Sequence, residues 1–399
     1  MRWIWLPLVL AACGDDAGEL PVDAGTTDGT LVSDAPSGCV RDPAPADRTR
    51  FVVVAHPYDA NGGRAATFEV LELSASGELT RPTPRRTFTL ADRASYGTIE
   101  ITPDGEIGLV ALENGSLGVF RLDAEGNPSV IHEGLAGSFY ATKVVMDPRG
   151  DRAWILEGNT RENGGGIYRV SIGCDGTVTD EGLYAAADLP HGLAFVGDRA
   201  VVAARDLLDS TTPGHDVHLA RWGVSPGALA GADAFGDDDA IVGGTALTSD
   251  GKTFLVGDTS AFSGVPNRVA VVGVGQDALT PITVLSPIPD PQAIATSPFG
   301  DVAIVSSALD GDAIYVLDTG GTGGAWRIRG ELAYAGAAPL LPGDVATISR
   351  GALRGRVLVS ELSSVRQLAF RDTGAVEDLG SLQFGDGLEN IGGAIGVTP

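Results

Sequence analysis

A short phrase recurs six or seven times along this chain: an apolar strand, a tight turn, and a second apolar strand. It stands as Thr98-Ile-Glu-Ile-Thr-Pro-Asp-Gly105 running into 107–111, and as Lys143-Val-Val-Met-Asp-Pro-Arg-Gly150 running into 153–156. It returns as Leu193-Ala-Phe-Val-Gly-Asp198 with 200–203, Thr245-Ala-Leu-Thr-Ser-Asp-Gly251 with 253–256, and Ala293-Ile-Ala-Thr-Ser-Pro-Phe-Gly300 with 302–305. A looser copy is Val345-Ala-Thr-Ile-Ser-Arg350 with 356–360. A period of roughly 45 to 55 residues means that each unit is one small antiparallel sheet, which cannot bury both faces alone and must stack on its neighbours. The expected fold is all-β, a propeller whose blades are four-stranded meanders.

The innermost strands are expected at 97–102, 141–147, 191–196, 243–248, 292–297 and 344–349. A seventh copy closes the chain, Gly392-Gly-Ala-Ile-Gly-Val-Thr-Pro399, and nothing follows it, while Phe51-Val-Val-Val-Ala-His56 reads as a second strand with no first. The two defects cancel if the C-terminal strand takes the inner position of the N-terminal blade, which closes the ring and leaves no open sheet edge inside it. Seven blades follow, with six or eight left open because the repeat after Ala337 is degenerate. In such a meander the first-to-second and third-to-fourth turns share one face of the ring. The second-to-third and blade-to-blade loops share the other.

The repeat fills the chain from about residue 49 to Pro399, so 49–399 is expected to be the propeller. Before it, Met1-Arg-Trp-Ile-Trp-Leu-Pro-Leu-Val-Leu-Ala-Ala-Cys13 has one positive charge and a short apolar run ending in small residues, the layout of an export signal. Leu10-Ala-Ala-Cys13 resembles the lipobox of bacterial lipoproteins, which implies removal of 1–12, a lipid on Cys13, and a cell-envelope location. Gly14 follows the cysteine, which favours the outer membrane, facing the periplasm or the exterior. Residues 13–48 carry few large apolar groups and are expected to be a disordered tether. Of the remaining cysteines, Cys39 and Cys174 either pair in an oxidising compartment or stay as thiols. The eleven residues between Cys39 and Phe51 could stretch up to ~40 Å, enough to cross part of a propeller face. The formal charge of −25 repels phosphate backbones and anionic headgroups, so nucleic acid is excluded as a partner and the membrane is reached only through the anchor. A monomer is expected.

The phrase Pro190-His-Gly-Leu-Ala-Phe195, with Asp290-Pro-Gln-Ala-Ile-Ala-Thr-Ser-Pro-Phe-Gly-Asp-Val-Ala-Ile-Val305, resembles the repeat of the YVTN and lactonase-like seven-bladed propellers. The resemblance covers about 50–399 and concerns strands and turns; Val196-Gly-Asp198 lacks the proline, and Arg350-Gly-Ala-Leu-Arg-Gly355 replaces a short turn. It implies the same fold and, as one function, a lactonase-like hydrolase with its site at the channel mouth.

The second-to-third loops are long, and aligning the repeats puts His56, Glu113, Glu157, Arg205, Asp258, Ser307 and Glu361 at the ends of the second strands. A polar ring there could bind a small molecule or a divalent cation through carboxylate oxygens, with His56, Glu157 and Arg205 as acid–base candidates. The alternative is that such residues only satisfy backbone groups of the next blade. No cofactor is expected. His215-Asp-Val-His218 lacks a third nearby metal ligand, and Asp237-Asp-Asp239 and Asp310-Gly-Asp312 lack the rest of a calcium loop. Val271-Val-Gly-Val-Gly-Gln-Asp-Ala278 matches a dinucleotide fingerprint but is followed by a strand rather than a helix, and Gly251-Lys-Thr253 lacks the leading glycine of a phosphate loop. Neither a nucleophile elbow nor a zinc-protease helix is present. The sequence therefore favours an envelope-anchored binding or scaffold module for a protein, glycan or small molecule, with the hydrolase as the alternative.

Overall fold

The computed structural model describes residues 39, 41–58, 61, 63–95, 97, 99–158, 165–208, 216–236, 242–259, 267–308, 312–320, 324–385 and 393–399. Residues 1–38, which hold the expected signal, Cys13 and most of the expected tether, lie outside the described residues, as do His215, Asp237 to Asp239, Asp310 and parts of the long loops at 56–64, 157–166, 205–216 and 257–267. Among the described residues every regular element is a strand, and seven antiparallel blades stand around one axis.

The first blade is the one built from both ends of the chain. Its inner strand is Ile395–Val397, its second Arg50–Tyr58, its third Arg64–Leu73, and its outer position is shared by Leu79–Thr80 and Arg86–Thr89. The closing register is Val52 with Val397, Val53 with Gly396 and Val54 with Ile395. The remaining inner strands are Glu100–Ile101, Lys143–Met146, Gly192–Val196, Val242–Leu247, Pro291–Thr296 and Val345–Thr347, in blades 2 to 7. Blade 4 carries an extra two-stranded ribbon of Ala187–Asp188 with Asp206–Leu207.

Second strands read as continuous apolar runs because both of their faces are covered. In Arg50–Tyr58, Val53 and Ala55 pack on Val110 and Phe120 of blade 2, while Val52 and Val54 pack on Leu358 and Val365 of blade 7. Outer strands meet solvent on one face and alternate accordingly, as Val376–Gln383 does residue by residue. Near the axis the blades crowd. A Cβ on Gly396 would stand 2.3 Å from the Ile99 carbonyl oxygen, and one on Gly244 2.5 Å from the Ala293 Cα, so these positions accept only hydrogen.

The two phrases set aside as nucleotide-binding decoys are strand and turn. Arg268–Val274 pairs with Leu279–Leu285 through the Gly275 turn, and Gly251-Lys-Thr253 is a first-to-second turn in blade 5.

The described part of the segment expected to be tether is docked rather than free. Cys39 and Cys174 form a disulfide with Cα atoms 5.1 Å apart, pinning the segment to the third-to-fourth turn of blade 3. Arg41, buried, donates to the carbonyls of Gly150 at 3.0 Å and Gly173 at 2.6 Å and pairs with Asp104 at 2.6 Å. Ala44 donates to Pro103 at 2.9 Å, and Asp47 accepts the Ala352 N–H at 3.0 Å. This strap thus crosses one face of the ring from blade 3 over blade 2 to blade 7 before Arg50 enters blade 1. Composition argued for disorder because apolar groups are scarce; charge-assisted hydrogen bonds and a covalent link do the ordering instead.

Candidate functional site

The seven residues at the second-strand ends each find a local partner. His56 is buried, with Nε2 3.2 Å from Glu69 Oε2 and its ring edge-on to Phe384 at 4.9 Å. Glu69 also takes Arg81 at 2.6 Å and Arg85 at 2.9 Å; burial alone would raise its pKa, but hydrogen bonds from Arg81, His56 and Arg85 hold it far below the carboxylate range. Glu113 pairs with Arg64 and Arg93 at 2.5 Å each. Glu157, buried, accepts the Tyr140 N–H at 3.1 Å. Arg205 stands 3.7 Å from Asp188 across the ribbon of blade 4. Asp258 is buried against Arg268 at 2.8 Å, Ser307 donates to the Pro289 carbonyl, and Glu361 accepts Ser364 and Arg366 at 2.5 Å each. His56, Glu157 and Arg205 thus sit on blades 1, 3 and 4, each with its own partner. His218 faces inward in Val217–Arg221, its Nε2 3.1 Å from the Ala204 carbonyl. Among the described residues no group of three or more His, Cys, Asp or Glu side chains stands close enough to hold a metal ion.

A different set stands where the inner strands begin. Blade-to-blade loops deliver the inner strands at the face opposite the strap, and three of them turn on the same device: a non-glycine residue at positive φ just before a proline. Leu189 (φ 47), Asp290 (φ 39) and Leu341 (φ 47) precede Pro190, Pro291 and Pro342. The residues after these corners, His191, Gln292, and Gly343 with Asp344, lead into the inner strands of blades 4, 6 and 7. Holding three such corners costs of order 1–3 kcal/mol apiece, so the surrounding hydrogen bonds must over-determine them. At two of them the bonds are clear: Ser306 Oγ donates to the Gly343 carbonyl at 2.6 Å and Gln292 Nε2 to Asp290 at 2.8 Å.

Lys143 begins the inner strand of blade 3 and Asp344 stands just before that of blade 7, on opposite sides of a seven-bladed ring. Even so, each feels the other's charge, and both feel Glu100 of blade 2. That mutual influence puts the three groups in one electrostatic neighbourhood. Burial raises the Asp344 pKa to about 7, although the N–H groups of Ile395 (3.1 Å) and Val345 and the Lys143 charge pull it down. Burial lowers the Lys143 pKa, and Asp344 and Glu100 oppose that. His191 is lowered to about 4, by burial first and then by the Lys143 and Arg205 charges, so its imidazole is neutral at neutral pH. The group offers a carboxyl able to gain or lose a proton near neutrality, a cation whose charge it feels, and a neutral imidazole that feels the same cation.

Alignment of second-strand ends passed over this set, yet its signal lay in the sequence. The residues following the proline in Pro190-His191 and Asp290-Pro291-Gln292 open the inner strands of blades 4 and 6, and Lys143 is one of only two lysines, with Lys252.

No family model matches the chain, and no curated protein matches it in sequence. Solved structures do match. A candidate 6-phosphogluconolactonase from Bacteroides fragilis superposes with a TM-score of 0.60 at 13% identity, covering 90% of this chain and 100% of that one. A second, from Bacteroides uniformis, gives 0.60 at 13%, covering 88% and 99%. A protein of unknown function from Desulfotomaculum acetoxidans gives 0.57 at 13%, covering 87% and 98%. At such identity the likeness is one of fold: this chain is a seven-bladed propeller resembling candidate lactonases.

Proposed function

We propose that the chain is an envelope-anchored propeller that binds a small polar molecule at the loop-side end of its central shaft. In this reading 1–12 is removed, Cys13 carries the lipid, the following residues act as spacer, and the propeller is the recognition body, working as a monomer. What supports the site is that Glu100, Lys143, His191 and Asp344 stand at the starts of the inner strands of blades 2, 3, 4 and 7, where Lys143 and Asp344 each shift the other's titration. Opposite charges held apart in a partly dry site favour a neutral ligand with hydroxyl and carbonyl groups, which can accept from the ammonium and donate to the carboxylate.

Lactone hydrolysis is the second reading, favoured by the Asp344 pKa of about 7. Asp344 as carboxylate would take a proton from water as its oxygen adds to the lactone carbonyl carbon. Lys143 would hold the developing oxyanion, and the ring C–O bond would break as the proton passes to the leaving alkoxide, consuming one water. The fold neighbours described as candidate lactonases support this choice of reaction. A panel of sugar and aliphatic lactones separates the readings. Turnover that falls by about 10²-fold or more in Asp344→Asn establishes the hydrolase. Saturable binding without turnover, lost in Lys143→Met, establishes the binding module. Neither turnover nor binding across the panel overturns the assignment of the shaft as the site.

A further inference from the structure

We infer that the strap-side end of the shaft is an anion-binding site, in which Arg350 takes a compact oxyanion within the field of Arg48 and Arg50: the carboxylate, sulfate or phosphate group of a small molecule. The chain as a whole is strongly acidic, with 52 acidic against 27 basic residues, yet arginines gather here. Arg48 Nη2 donates to the Asp104 carbonyl at 3.1 Å and Arg350 Nη2 to the neighbouring Pro103 carbonyl at 3.4 Å, so two guanidinium groups stand over consecutive carbonyls of one turn. Arg50, wholly buried beneath them, donates to the Arg350 carbonyl at 3.0 Å.

The cluster is electrostatically unfinished. Nε and Nη1 of Arg50 and Nε of Arg48 are buried without a hydrogen-bond partner among the described residues. Buried cationic donors left unpaired are costly, and an anion placed against their field relieves that cost. Burial and mutual repulsion pull the Arg48 and Arg50 pKa values below the ordinary one. Nearby carboxylates are held by other partners or exposed. Asp104 is held by Arg41 at 2.6 Å and by Thr102 at 2.6 Å, Asp47 by the Ala352 N–H at 3.0 Å, and Glu106 is exposed. Counting Arg41, four guanidinium groups stand here with Asp47, Asp104 and Glu106, and Glu100 adds a fourth carboxylate in the adjoining cavity.

A receptacle adjoins the cluster. Arg350 lines a cavity of about 300 Å³ together with the hydroxyl-bearing Thr347, Ser349 and Thr398, and this cavity runs along the inner strands of blades 7, 1 and 2 to their strap-side ends. Forked guanidinium donors and hydroxyl donors suit an oxyanion. Glu100 faces the same cavity and disfavours a second negative group, which selects a ligand with a single anionic head.

The test is the melting temperature of the full chain, titrated with sodium phosphate, sulfate or acetate at ionic strength held constant with chloride. A saturable rise with at least one of the three is expected, acetate reporting a carboxylate site and the others a tetrahedral one. Arg350→Gln should weaken the half-saturating concentration at least about tenfold, the loss of one charge-assisted contact. Arg354→Gln, whose guanidinium lies on the same face against the Pro298 carbonyl, should leave it unchanged. If Arg350→Gln does not fold, Arg48→Gln replaces it. No saturation with any anion, an equal rise with chloride, or unchanged affinity in the Arg350 or Arg48 variant overturns the assignment.

Discussion

Asp344 and His191 give the shaft opposite responses to pH. A carboxyl group that titrates near 3.8 in the unfolded chain and about 7 in the folded one binds more proton when folded. Stability therefore falls as pH rises through that window and is level above it. His191 runs the other way: its folded value of about 4 lies below the ordinary 6.5, so stability is lost as pH falls between them. Comparing Asp344→Asn with the parent protein isolates the first effect, because His191 is common to both. The variant should melt higher above pH 7, by about 1–3 kcal/mol or a few degrees, and the gap should close toward pH 4. Thermal melts from pH 4 to 8.5 check this, and a gap that is constant across the range would mean that Asp344 is ionised throughout. The mutual influence of Lys143 and Asp344 also implies that Lys143→Met moves the same window upward, since the cation that lowers the Asp344 pKa is gone.

At the scale of strands, what was legible followed from burial on two faces. Val52, Val53, Val54 and Ala55 are apolar in succession because blades lie on both sides, and that run, beside Gly396 and its neighbours at the far end of the chain, was enough to place the ring closure. The site was less legible. His56 and Glu157 stand at strand ends as aligned, but a strand end does not say whether a side chain turns toward the axis or into the neighbouring blade, and His56 turns onto Glu69 and Phe384. The inner strands of blades 4, 6 and 7 are entered through corners where Leu189, Asp290 and Leu341 take positive φ, and of these only the aspartate is a residue type that favours that conformation. The strap was half legible: the Cys39 to Cys174 pairing stood as one of two alternatives, while the Arg41 and Asp47 contacts depend on carbonyls and N–H groups of blades 2, 3 and 7. Its bond spans 135 residues, so reduction frees a long segment of the unfolded chain. Replacing Cys39 and Cys174 by serine should cost about 2–5 kcal/mol, read as a lower urea midpoint with the ring still formed. An unchanged midpoint would show that the hydrogen bonds of Arg41 and Asp47 hold the strap unaided.

Taken whole, the molecule is an acidic ring whose shaft has two unlike ends, a proton-exchanging cluster under the loops and an arginine cluster under the strap. A body with net charge −25 is repelled by anionic headgroups, so its own surface gives it no reason to sit on a bilayer. Membrane attachment, in the reading proposed above, must then come from Cys13 alone, and this makes the anchor separable from the fold. Cys13→Ser should leave the melting curve of the propeller unchanged while moving the protein from the membrane fraction to the soluble one. The parent protein should resist washing with high salt, which screens charge, and be released by detergent, which dissolves the lipid. Parent protein released by salt would point to a charge contact instead. A Cys13→Ser variant that stays with the membrane would place the attachment on the body itself, contrary to the repulsion its charge requires.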